Sequence, residues 1–180
     1  MLEKDSLPPS PDRLLLKEFY GRFSSNERVV NVAQSNTGDN LISEKEVKTL
    51  RDARSGHMKV GKHIIHLKEF YILYLHSMLA KLGICLWAPD LEEAPDSLYN
   101  EACWTAALMK FRQVSSSGAY RYIRASLAYC NNLQLLKRAY DHFVHYLMAG
   151  VHKVENKEAG KTVRDKYKRV VQKWRQRVSN

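Results

Sequence analysis

Apolar residues in this chain recur at intervals of three and four, and almost nowhere at intervals of two. Leu133, Leu136, Tyr140, Phe143, Val144, Leu147, Val151 and Val154 form one such series. Val60, Ile64, Leu67, Tyr71, Leu75, Met78 and Leu82 form another, and Gly83 supplies a stop. Residues spaced this way share one face of an α-helix, whereas a half-buried strand needs strict alternation. Paired alternating segments joined by hairpin dipeptides are missing as well. The pattern predicts an all-α fold: a single-domain bundle of six or seven helices, with two long central amphipathic helices over 58–82 and 133–155.

The remaining segments fill in around those two. Residues 1–10, with Pro8 and Pro9, read as a flexible N-terminal tail, and 11–180 as the helical domain. Ser10-Pro11-Asp12 opens a helix through Phe23 that puts Leu15, Leu16, Phe19 and Phe23 on one side. Residues 24–42 mix Ser, Asn, Gly and Asp and read as a loop. Ser43 and Glu46 have capping-box spacing for a helix ending near Gly56. Pro89 and Pro95 bound a crossing loop, Asp96 caps a helix through Val114, and Ser115–Gly118 interrupts it. A helix over 119–130 and a basic one over 161–178 complete the bundle.

A chain of 180 residues with 44% hydrophobic content buries a core without covalent staples. Its three cysteines, Cys85, Cys103 and Cys130, form no CxxC pair, which argues against a zinc ribbon or a redox dithiol. They read as small buried thiols in a reducing compartment. The polar, proline-rich start is unlike a secretory leader. The most apolar stretch, 64–87, is broken by His66, Lys68, Glu69, His76 and Lys81, so it is a buried helix and not a span. The expected location is intracellular, in cytoplasm or nucleus.

Several motifs look chemical but have a plainer structural reading. Gly160-Lys161-Thr162 matches the end of a phosphate-binding loop, but Glu155 stands where that loop needs its first glycine. A helix-ending glycine followed by a new N-terminus explains it better. His63/His66 and His142/His145 have i,i+3 spacing, yet neither pair carries the glutamate partners of a di-iron bundle. On the second long helix, His142, His145 and His152 read as an outer polar face shared with Arg138 and Lys153. No nucleophile elbow accompanies Cys85 or Cys103. Acids in the second half are limited to Glu101, Asp141, Glu155, Glu158 and Asp165, which leaves little material for paired-carboxylate chemistry. The expectation is a protein that is not an enzyme, with no catalytic residue, metal or cofactor.

Charge is the feature that speaks to function. Residues 1–100 hold 13 Lys+Arg and 14 Asp+Glu; residues 101–180 hold 16 Lys+Arg and 5 Asp+Glu. Such asymmetry makes one surface locally cationic. Ser115–Gly118 followed by Arg121 and Arg124, with Arg112 just before, suggests small residues opening a helix whose free N–H groups attract an anion. Tyr120 and Tyr122 are placed to stack or hydrogen-bond there, and 111–138 loosely fits a helix-turn-helix. In the last helix Val163, Tyr167, Val170 and Trp174 form a heptad-like seam among Lys161, Arg164, Lys166, Lys168, Arg169, Lys173, Arg175 and Arg177. Too short to stand alone, that seam should dock on the bundle or on a partner. The leading reading is a non-catalytic nucleic-acid-binding domain, for DNA or RNA. Its phosphate contacts come from Arg112, Arg121, Arg124, Lys137, Arg138 and the basic side chains of 161–178. The alternative is an interaction or assembly module whose seam, Val163, Tyr167, Val170 and Trp174, docks a protein partner. A membrane is not expected as the partner.

Overall fold

The computed structural model describes residues 10–35, 40–48, 59–60, 63–64, 68–120 and 126–178. Within them the chain is all-helical apart from one minimal antiparallel pairing, β1 (Lys59–Val60) with β2 (His63–Ile64). The tail at 1–9 and the latter part of the helix expected after Ser43 lie outside the described residues. Ser43 itself opens only a turn, its Oγ accepting from the Lys45 N–H at 3.3 Å.

Helix α1 (Arg13–Arg22) starts where Asp12 caps it, its carboxylate accepting from the Leu14 N–H at 3.1 Å. Phe19 and Phe23 are buried and Leu15 and Leu16 pack beside them, as the spacing predicts. Next comes a helix where a loop was expected: α2 (Asn26–Gln34), with Ser25 accepting from the Arg28 N–H. It buries Val29 and Ala33, four residues apart. Helix α3 (Glu69–Lys81) is shorter than the expected 58–82, because Lys59–Val60 and His63–Ile64 are extended. Gly83 follows it at φ +68°, a left-handed conformation that a Cβ would strain.

Helix α4 (Leu98–Ser116) is the centre of the bundle, a place the sequence pattern assigns to other segments. One side, Tyr99, Ala102, Cys103 and Ala106, joins Phe19, Phe23, Val29, Met78, Leu82 and Ile84 in a first core. Another side places Leu108 with Leu91, Tyr140, Val144 and Met148 in a second. Trp87 packs against both and donates its indole N–H to the Cys103 carbonyl at 3.1 Å. The loop before α4 is fastened by Asn100, which is fully buried. Its Nδ2 donates to the carbonyls of Asp90 at 3.0 Å and Ala94 at 2.8 Å, and its Oδ1 accepts from the Asp90 N–H at 2.8 Å.

Beyond α4 come the short α5 (Leu127–Asn131) and α6 (Leu133–Asp141), the latter capped by Asn132. The chain continues through a π-helical stretch, His142–Met148, into α7 (Ala149–Lys157). Its inner line is Leu136, Tyr140, Val144 and Met148. A repeat of four drifts around a 3.6-residue helix, and the wider π turn offsets that drift. Phe143 and Leu147, expected inside, are therefore turned outward and roughly half exposed. The same rotation carries His145 and His152 off the solvated face and toward the loop at 91–95. His152 Nε2 lies 3.3 Å from Glu92 Oε1. His145 is half-buried, and burial pushes its imidazole below the ordinary range.

Two measurements test this packing. Asn100→Ala strips three hydrogen bonds from the loop, and we expect a loss of about 2 kcal/mol, seen as a lower urea midpoint. Lys110 is buried on α4 with its ammonium 3.5 Å above the Tyr74 ring centroid. Burial, with Lys81 nearby adding to it, pushes Lys110 down to about 8 from 10.5. Between those values the unfolded chain holds a proton that the folded chain has lost, so stability rises with pH, by up to about 3 kcal/mol. Lys110→Met should abolish that rise and be the more stable protein at pH 7, as read by urea unfolding across pH 7 to 10.5.

Candidate nucleic-acid interface

The predicted cations do not all reach one surface in a usable state. Lys137, on α6, donates to Glu101 Oε1 at 2.9 Å and lies 4.8 Å from the Trp104 ring centroid. Glu101 also accepts from Asn26 Nδ2 at 3.4 Å, so this cation fastens α6 to α4 and α2. Arg112 is half-buried on α4, its Nε buried without a hydrogen-bond partner among the described residues. Arg138 is exposed on α6. Arg121 and Arg124, with Tyr122, lie outside the described residues.

Among the described residues, Ser115–Gly118 closes a helix instead of opening one, contrary to the expectation. Ser115 and Ser116 are the last residues of α4, Ser117 caps its carboxyl end, and 117–120 is a turn. That end of a helix presents carbonyl oxygens, not N–H groups, and so repels an anion. Ser117 Oγ accordingly donates to the Val114 carbonyl at 2.7 Å. Of the helix expected over 119–130, Ala119 and Tyr120 belong to the turn and Leu127–Asn131 forms α5, while 121–125, and with them the helix-turn-helix comparison, lie outside the described residues. Tyr120 packs on Phe111 at 5.4 Å.

The C-terminal segment forms as predicted: α8 (Lys161–Val178), about 27 Å long at 1.5 Å per residue. Its start is a clamp of side chains from α7. Glu155 accepts from the Gly160 N–H at 2.6 Å and the Thr162 N–H at 2.9 Å. This carboxylate occupies the amides that a phosphate would need, so Gly160-Lys161-Thr162 cannot act as a phosphate loop. Gly160 turns the chain at φ +75°. Glu158 then pairs with Lys161 at 3.2 Å and with Arg164. The hydrogen bond from Lys161, then that from Arg164, holds the Glu158 carboxyl below its usual range.

Past this clamp the helix stands apart. It packs chiefly against α7, and none of its residues is buried. The predicted seam is therefore uncovered by the rest of the described chain: Tyr167 is 69% and Trp174 65% exposed, with Val163 and Val170 nearly half exposed. At 100° per residue, Arg164, Lys168 and Arg175 follow one edge of the seam. Lys166, Arg169, Lys173 and Arg177 follow the other edge, and Asp165, Gln172 and Gln176 lie opposite the seam. Lys166, Lys168, Arg169, Lys173 and Arg177 make no ion pair or hydrogen bond among the described residues.

Cys103 is buried and its thiol is pushed up to about 12 by that burial, which keeps it protonated at neutral pH. Among the described residues no three His, Cys, Asp or Glu side chains gather as metal ligands, and no helix is long and apolar enough to cross a membrane. Comparison with family models, curated proteins and solved structures found no match.

The clamp generates a test of how α8 is held. Glu155→Ala leaves the first amides of α8 without their acceptor, worth about 1 kcal/mol. Amide hydrogen exchange over 160–164 should quicken about fivefold, while exchange in α4 stays unchanged.

Proposed function

We propose that this chain is a non-catalytic nucleic-acid-binding helical domain, working inside the cell through its C-terminal helix. The observation that carries this reading is the set of five cations on α8 with no acidic partner among the described residues: Lys166, Lys168, Arg169, Lys173 and Arg177. They sit on a helix that has no buried residue and packs chiefly against α7 among the described residues, so a polyanion can approach them. Arg138 and Arg175 add positive charge, whereas Lys137, Lys161 and Arg164 are largely spent on Glu101 and Glu158. Binding of this kind reads the phosphate backbone and carries little sequence preference.

A second reading is favoured by the uncovered seam. Val163, Tyr167, Val170 and Trp174 are an apolar stripe that a protein partner could cover, as in a helical assembly module.

A gel-shift salt series with labelled DNA and RNA separates the two. If the five cations neutralise phosphates, affinity should fall about five-hundredfold on duplex between 50 and 200 mM salt. Replacing all five by Gln should remove most of both the affinity and the slope. Absence of any complex at 50 mM salt would reject this function and leave the protein partner, sought by light scattering and cross-linking.

A further inference from the structure

We infer that the ligand of α8 is single-stranded nucleic acid, with Tyr167 and Trp174 as base-stacking residues. This rests on the nucleic-acid reading above and narrows it to a substrate class. The cations flank the helix on two edges, and the strip between them is what a ligand would meet first. That strip is Val163, Tyr167, Val170, Val171, Trp174 and Val178. It carries no Arg, Asn or Gln at its centre, so it cannot read base edges in a major groove. A duplex keeps its ring faces stacked inside and would leave this strip against water.

An unpaired strand offers what the strip lacks. Every base has an apolar ring face, and aromatic side chains beside a cationic track are the usual way to hold one. Tyr167 and Trp174 are the two aromatics of α8, both mostly exposed, seven residues and about two turns apart on the same side. Phosphates of a strand laid along the strip fall within reach of Lys166, Arg169, Lys173 and Arg177 on one edge and Lys168 on the other. The back of the helix, with Asp165, Gln172 and Gln176, offers no such attraction. Charge also decides against a second copy as occupant: two seams meeting face to face would bring like-charged edges together on both sides.

The test uses the full chain, a fluorescein-labelled single-stranded oligonucleotide and its duplex, at 100 mM salt. We expect the single strand to bind at least tenfold tighter. Tyr167→Ala and Trp174→Ala should each cost about tenfold on the single strand and almost nothing on the duplex, with the salt slope unchanged. Tyr167→Phe and Trp174→Phe should retain most of the affinity. Both side chains are mostly exposed, and far-UV circular dichroism checks that the variants fold. Equal, salt-dependent binding of both forms, unaffected by the ring variants, would overturn this inference while sparing the proposed function. Failure to bind either form at 50 mM salt would overturn both. Capture by phosphatidylserine vesicles that is lost in the ring variants, with no nucleic-acid binding, would overturn both in favour of an anionic lipid surface.

Discussion

Burial of α4 around most of its circumference is the constraint from which the rest of the structure follows. Small residues on one side, Ala102, Cys103 and Ala106, let α1, α2 and α3 come close; Leu108 faces the second core, which α6 and the π segment complete. A helix in that position must carry its polar atoms into the interior, and α4 does so at Asn100, Thr105 and Lys110. Asn100 is satisfied by the backbone of the loop before it, which fixes where Trp87 and Leu91 enter the two cores. Lys110 finds a ring face instead of an acid, and its burial lowers its affinity for a proton. No residue of α8 enters either of the two cores.

Legibility in the sequence followed from how each helix is buried. Helices whose apolar and charged residues fall on separate faces announce themselves, which is why α1 and α8 are readable to within a residue or two. Helix α4 has almost no wet face, so its register gives no stripe, and its central role could not be read from periodicity. Helix α2 was lost for a different reason: Val29, Val30 and Val32 between Ser, Asn and Gly look like a loop with an apolar patch, although Ser25 is an ordinary cap. Residues 133–157 were readable as helical, but an inward repeat of four together with a π turn moved Phe143 and Leu147 out and His145 and His152 in. Side-chain fate was least legible of all. Lys137 meets Glu101 across 36 residues, a pairing no local pattern contains.

The described cations of the second half therefore include two distinct groups. One part is structural charge: Lys137, Lys161 and Arg164 hold helices to one another through Glu101 and Glu158. The other is concentrated on α8, which joins neither core. Net charge alone would not have separated them, because the five acids of that half are few but well placed, three of them at these joints. Glu155 is the most instructive. It fills the amides at the start of α8 and so spends that helix terminus on the fold, which leaves the sides of the helix, not its end, as the charged surface.

Charge and apolarity on α8 also constrain each other. An uncovered stripe with Tyr and Trp invites self-association, yet both of its edges are positive, and bringing two copies together compresses like charge along two rows at once. Only a ligand that neutralises the edges makes contact with the stripe favourable. Removing charge without such a ligand, as in the five-Gln variant, should therefore do more than weaken anion binding: it should leave the stripe free to associate, and concentration-dependent light scattering of that variant in low salt should exceed that of the parent. A variant that stays monomeric would mean that the stripe is too short or too divided to drive apolar contact, and that the cations act alone.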